Sequence, residues 1–331
     1  MSKFFQNKDW IYINKYIYKK PSFELDFFWK KYFWVVKEQK KLGMRLRWYQ
    51  VLGIEIPDIS DETNLKKTFD IISRDFKKSW WDIFFQFWFI NNIYSNPSYK
   101  LKDESELNKV KELYEEYKSF LNSKIWLIPS IRENMPPANV LVNLDKADDD
   151  IFNDISKNTK SQIKKWKSKW LNFEILNIED LEKFYSLWYK TLDNKSIVIP
   201  GREEFNLLYE YITENNVWDI FIAKLDWDIV AGSVCIWDND TVYYVYWASD
   251  RNAWNIWQHQ FLKYNMFLWA KEKWFKNFDL LWVSPAWNNN HSLSWVSQFK
   301  NSLWWDYINY LWNYDLVFND TIYKAYNMLK N

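Results

Sequence analysis

In "AKLDWDIVAGSV" two alternating strand-like runs face each other across Asp226-Trp227, where a tight hairpin calls for Asp-Gly. The same exchange recurs wherever the chain should turn. "KSKWLNF" and "KEKWFKNF" each close a Lys-rich helix pattern with a tryptophan, Trp170 or Trp274, and then begin a strand. That is the position after a helix where glycine enters the left-handed region without a Cβ clash. "KNSLWWDYINYLWNYD", from Lys300 to Asp315, reads strand, turn, strand, with Trp304, Trp305 and Trp312 at the turning points. The totals match the positions. The chain holds 4 Gly and 25 Trp, whereas average usage of about 7% predicts roughly 23 Gly, so exchanging about nineteen Trp for Gly makes both counts ordinary.

We read many of these tryptophans as glycine codons. UGA encodes glycine in some bacteria and tryptophan in others, and a gene of the first kind read with the second table gives this pattern. The bias toward Lys, Asn, Ile and Tyr fits an AT-rich genome. The rival reading is a Trp-rich surface for stacking sugars or bases, which would put the rings on strand faces rather than at helix ends. Trp48, Trp126, Trp188 and Trp269 lie within apolar patterns and read as genuine.

At 331 residues the chain has room for one large domain or two ordinary ones. A content of 48% hydrophobic and 26% charged residues fits a packed core. The net charge of +1 provides no global field for nucleic acid or membrane. A single Cys, Cys235, excludes a disulfide framework and a thiolate metal cluster. His259 and His291 are too few for the usual metal sites, so no metal is expected. "MSKFFQNKDW" lacks a signal-peptide core and no apolar run reaches 18 residues, which points to a cytoplasmic, reducing location.

Alternation predicts strands at 23–36 and 44–56, a helix at 61–78, a buried strand at 81–90, a charged amphipathic helix at 103–120 and a strand near 139–144. A second unit follows: helices up to Trp170, a strand at 172–177, helices at 179–193 and 202–215, strands at 218–226, 229–237 and 241–249, a helix at 256–273 and a strand at 277–283. A short helix at 291–301, strands around 305–318 and a helix at 320–330 complete it. The fold class is α/β (α+β) with a mixed sheet.

With the suspect tryptophans taken as glycines, the second half resembles the FemABX peptidoglycan-bridge aminoacyltransferases. "ISKNTKSQIKKWKSKWLNFEI" is similar to their S-x-N-x-R/K-x-x-I-K-K-x-x-K-G segment, and "VYYVYWASD" to their Y-x-Y-G-A-S strand. "FLWAKEKWFKNFDLLWV" is similar to W-A-x-x-x-G-x-x-x-[FY]-D-L-x-G, and "SQFKNSLWWDYINYLWNYDLVFN" to F-K-x-x-[FL]-G-G-x-x-x-x-Y-x-G-x-x-D-L-V. The matches keep their order over residues 139–330; in the first half only "FFQNKDW" and the element order fit. The resemblance implies two GNAT-like acyltransferase domains with largely antiparallel sheets flanked by helices. Residues 1–144 plus about 313–331 would form the first and 145–312 the second. Residues 217–251 leave no room for the helical arm of longer members.

The resemblance also implies transfer of an amino acid from aminoacyl-tRNA to the stem-peptide side-chain amine of a cell-wall precursor, either UDP-MurNAc-pentapeptide or its lipid-linked form. It implies a monomer without cofactors and a peripheral contact with the inner membrane. An activated ester needs no covalent enzyme intermediate, which suits a sequence with no nucleophile elbow or P-loop. Lys300 of the Phe299-Lys300 pair matches the family's F-K and would be a cation near the acyl carbonyl or the tRNA terminus; a solvated lysine at a helix end is the plain alternative. Tyr244 and Tyr246, expected on one strand face, would bind peptide or sugar, or pack as core. Arg202, opening a helix after "IVIPG", would take a diphosphate or be a surface charge. Lys160, Lys164 and Lys165, with Lys157, Lys167 and Lys169, make a basic helix that would meet tRNA phosphates or face solvent. Asp279 is a candidate base or a strand-end residue. "RNAWNIW" resembles the R-x-x-G-x-[GA] pyrophosphate loop of GNAT enzymes with its last small residue displaced, so an N-acyltransferase using acyl-CoA remains open. A non-catalytic aromatic binding module is a third reading, and it requires the tryptophans to be real.

Overall fold

The computed structural model describes residues 6, 8–17, 19, 22–27, 30–41, 44–96, 104–131, 135, 137–166, 171–193, 200–250, 252–253, 257–288, 290–301 and 306–328. Its strands are β1 (Ser22–Phe27), β2 (Lys30–Lys41), β3 (Met44–Ile54), β4 (Asp82–Asn96), β5 (Leu127–Pro129), β6 (Ala138–Asn143), β7 (Leu171–Ile175), β8 (Trp218–Leu225), β9 (Asp228–Asp238), β10 (Thr241–Ser249), β11 (Asn277–Asp279) and β12 (Asp306–Val317). The helices are α1 (Lys8–Tyr12), α2 (Glu62–Phe76), α3 (Glu104–Ile125), α4 (Asp148–Asp154), α5 (Lys157–Trp166), α6 (Leu181–Asp193), α7 (Arg202–Asn215), α8 (Gln258–Glu272), α9 (Ser294–Asn301) and α10 (Asp320–Met328).

These elements make a mixed α/β fold around one open sheet, ordered β1-β2-β3-β4-β12-β6-β11-β10-β9-β8-β7, with β5 beside β12. β3–β4 and β10–β11 are parallel and the other pairs antiparallel. Separate sheets for the two halves were expected. Instead β12 pairs with β4 along Tyr307–Val317 and with β6 along Asp306–Asn309, and so joins the halves' strands into one path. Tyr323 and Tyr326 of α10 pack with Trp48, Ile83 and Phe84, beside strands of the first half.

Local chemistry explains the elements. Asp61 caps α2 by accepting the Asn64 N–H, and Leu65, Phe69 and Ile72 form its buried stripe. β9 is buried from Ile229 to Ile236, because helices cover the sheet there on both faces. α6 sits so close to this strand that a Cβ on Gly232 would meet the Phe184 ring at 2.4 Å.

The tryptophans divide. Trp188 and Trp218 are fully buried and Trp48 nearly so. Trp126, Trp257, Trp274, Trp282 and Trp312 adopt φ of 62°, 53°, 66°, 46° and 87°, a region bulky side chains rarely enter. Trp274 follows α8 and is 90% exposed. Trp227 is 84% exposed in the β8–β9 turn, although Asp226 carries the positive φ there. Trp126 departs from its sequence reading: it follows α3 in the left-handed region and is 58% exposed, so it sits where a helix-ending glycine does. Around Trp312 the expected turn is absent. β12 is one strand with irregularities between Asn309 and Trp312, and the left-handed residue forms a bulge. Trp170, Trp254, Trp304 and Trp305 lie outside the described residues.

Candidate active site

The site forms where two parallel strands part. β10 and β11 pair from Thr241–Asn277 to Tyr243–Asp279. β11 then ends, while β10 runs on to Ser249. Beyond β11 the chain stays on β6 through the Leu280 and Val283 N–H groups, which donate to Val140 and Ala138 O. Between these anchors Leu281 and Trp282 are both left-handed, with φ of 50° and 46°. Their turn would orphan several buried carbonyls. Lys300, at the end of α9 and buried, fills that need: Nζ donates to the carbonyls of Leu280 (2.6 Å), Leu281 and Trp282 (3.1 Å). Burial pushes the Lys300 amine down to about 7, while nearby Asp279 acts in the opposite direction.

Asp279 is structural in its contacts. It accepts from the Leu281 N–H and from Asn139 Nδ2, which also donates to the Tyr310 hydroxyl. Burial raises its carboxyl to about 6.

Two cavities flank this turn. The larger, about 270 Å³, lies between the first half and β10; Trp10, Phe33, Lys37, Gln50, Tyr246 and Trp282 are among its walls. The smaller, about 140 Å³, lies on the other side of β10 and is walled by Tyr244, Trp247, Lys263, Trp295, Phe299 and Lys300, with His259 and Val296 completing it. Tyr244 and Tyr246 therefore do not share a face as expected. An irregularity between them leaves Val245 without a β9 partner, and Tyr244 points into one core while Tyr246 joins the other. Lys300 accordingly meets Tyr244, at 6.0 Å from its ring, and not Tyr246.

The other sequence candidates are dispersed. Phe299 lines the small cavity beside His259, ring to ring at 6.2 Å. Arg202 lines neither cavity. It pairs with Glu182 and lies 4.6 Å over the Tyr185 ring, so α6 rather than a ligand orients it in this structure. On α5, Lys160 donates to Asn153 O, Lys164 is exposed, and Lys165 lies 5.4 Å over the Trp257 ring at the start of α8. The basic helix thus borders the helix that carries His259 and Lys263. His291 accepts the Leu293 N–H on Nδ1 ahead of α9.

Sequence reasoning missed Lys263 and Lys37. Lys263 is 1% exposed on the buried stripe of α8 with Leu262, Met266, Phe267 and Ala270. A lysine inside such a stripe was the available signal. Lys37 had none, since it alternates like any exposed strand residue.

No family model and no curated protein matches this sequence. Solved structures do match. The crystal structure of FemX superposes with a TM-score of 0.66 at 13% identity, covering 97% of this chain and 94% of that one. A conserved protein of unknown function from Bacteroides thetaiotaomicron gives 0.50 at 11% identity, over 94% and 92%. L-PGS from Bacillus licheniformis gives 0.47 at 12%, over 89% and 84%. The chain has a FemX-like fold. No helix among the described residues is long and apolar enough to cross a membrane.

Proposed function

We propose that the chain is an aminoacyltransferase that moves an amino acid from aminoacyl-tRNA onto the stem-peptide side-chain amine of a peptidoglycan precursor, soluble or lipid-linked. One observation carries the reading: two cavities open on opposite faces of the sheet where β10 and β11 separate, and Lys300, in the wall of the small one, bonds the carbonyl of Trp282, which lines the large one. The small cavity, bordered by the basic helix α5, takes the donor ester. The large one, with Lys37 and Tyr246, takes the acceptor. The amine attacks the ester carbonyl, the tetrahedral oxyanion forms in the gap, and the ribose hydroxyl leaves with a proton. The Lys300 charge favours that oxyanion, and its three hydrogen bonds hold the turn that shapes the gap. We read residues 1–144 with about 313–331, and 145–312, as the two GNAT-like units behind the two cavities. The test offers purified protein aminoacyl-tRNA with a UDP-linked stem peptide, and acetyl-CoA with the same acceptor. Product only in the second mixture moves the chain to the acyl-CoA enzymes, and product in neither sinks the reading.

We further propose that the turn tryptophans are glycine in the organism's own protein. Five left-handed tryptophans support this. Mass spectrometry of the native peptides spanning 126, 274 and 312 decides it, and UGG codons at these positions would overturn it.

A further inference from the structure

The acyl-transfer reading gives Lys263 no task, yet its placement is specific. It is 1% exposed on the buried face of α8 and lines the small cavity. Nζ lies 4.0 Å from the Phe299 ring centroid and 4.9 Å from that of Tyr244. Among the described residues it has neither a hydrogen-bond acceptor nor a carboxylate partner. The titratable groups facing it are Lys300 from α9, Tyr244 from β10 and His259 one turn earlier on α8. Asp279 stands beyond Lys300, its carboxylate already bonded to Asn139 and the Leu281 N–H. Burial and the Lys300 charge both hold the Lys263 amine well below the ordinary lysine range. A buried amine without a counter-ion is costly to charge, and the missing partner has to come from outside.

The cavity defines that partner. Lys300 already directs Nζ at three carbonyls, so Lys263 is the donor left for a ligand. The remaining walls named for this cavity are mainly apolar, including Phe299, Val296 and the two tryptophans. One ammonium in an apolar pocket matches a monoanion with an apolar body; a phosphate dianion would need more donors. We propose that this cavity is a binding site for a small organic carboxylate, its carboxylate paired with Lys263 and its body against Phe299 and Val296. The residues assigned to the pairing and to the body contact, Lys263, Phe299 and Val296, are not tryptophans. The carboxylate would compete with the donor ester for this cavity, and its binding to Lys263 does not depend on the acyl-transfer reading.

On binding, the incoming anion favours the charged form of the amine, so binding is accompanied by net proton uptake from solvent. Titration calorimetry of the full chain at neutral pH, in two buffers of different ionisation enthalpy, reads that proton. The probes are isovalerate, its neutral isostere isovaleramide, and inorganic phosphate. Isovalerate should bind with net proton uptake, and the amide should bind about tenfold or more weakly. Lys263→Met should lose both the preference and the uptake while its unfolding midpoint stays at or above that of the wild type. Lys263→Arg should retain binding without uptake, because arginine is already charged. Equal affinity for acid and amide, tighter binding of phosphate than of isovalerate, or unchanged isovalerate binding by the folded Lys263→Met chain would each overturn the proposal.

Discussion

The two cavities beside β10 share a strand and little else. The larger draws its walls from residues between Trp10 and Leu52, from Met135, from β10 and from Trp282, so it exists only once distant segments have met. The smaller is built almost wholly from 244–300, within two helices and one strand. It is also the one that buries two amines, where the larger keeps Lys37 on a partly exposed strand face. The difference is one of assembly. On the proposed reading, the donor site gains fixed geometry from contiguous, rigid elements, and the acceptor site gains span from segments far apart in the chain. The bulge at Tyr244–Tyr246 makes both possible by turning neighbouring tyrosines to opposite sides.

The strongest way to break this contrast is at Lys300, which lines the small cavity and bonds the carbonyl of Trp282 in the wall of the large one. Lys300→Ala should lower turnover about 10²-fold or more, because the turn that shapes the gap loses its three hydrogen bonds and the oxyanion loses a nearby positive charge. It should also lower stability by a few kcal/mol, because three buried carbonyls lose their donor. Steady-state rates and denaturant melts check the two effects. A variant of full activity would remove Lys300 from the mechanism. Smaller and one-sided effects should follow on each face. Lys37→Ala should raise the acceptor KM about tenfold with the donor KM unchanged, and Phe299→Ala the reverse. A swap of these assignments would exchange the roles of the cavities.

The faces should differ in pH response as well. Lys300 has an ordinary value of 10.5 and a folded value of about 7, and Lys263 is lowered too. Below pH 7 both the folded and the unfolded chain hold the Lys300 proton, so its penalty is complete. From pH 7 toward 10.5 the unfolded chain binds more protons, and stability rises with pH by up to about 1.4 kcal/mol per unit for each amine. Denaturant midpoints from pH 7 to 9, below tyrosine ionisation, should therefore climb. The Lys263→Met and Lys300→Met pair should flatten the climb, and Lys37→Met should leave it. A wild type as flat as the double variant would contradict the burial of these amines.

What the sequence disclosed follows the same division. Helices 202–215 and 258–272 and strands 218–225 and 241–249 were legible because each carries its own period and boundary residues. Phe299 and Lys300 were legible through a local motif. The shared face assigned to Tyr244 and Tyr246 failed because a bulge inserts one residue without any sign in the pattern. The larger cavity was illegible for another reason. Lys37, Gln50 and Tyr246 meet through a sheet path that runs via β12, and no local pattern encodes it. Trp126 was misread because it ends a helix inside an apolar run, and only the backbone angle separates those roles.

The smallest effect tests the tryptophans themselves. At Trp126 and Trp274 a left-handed backbone costs an L-residue about 1–2 kcal/mol, and each ring is exposed enough to gain little from packing. Glycine removes the strain but adds about 0.5–1 kcal/mol of unfolded-state entropy. The net expectation for Trp126→Gly or Trp274→Gly is therefore a stabilisation of roughly 0.5–1 kcal/mol, read as a raised denaturant midpoint with an unchanged slope. Trp188 supplies the opposite sign from the same exchange. It is fully buried against Phe184, Phe205 and Tyr246, so Trp188→Gly should cost at least about 3–5 kcal/mol. Destabilisation at both 126 and 274 would mean that these rings hold the helix ends in place and that the chain was built with tryptophan there.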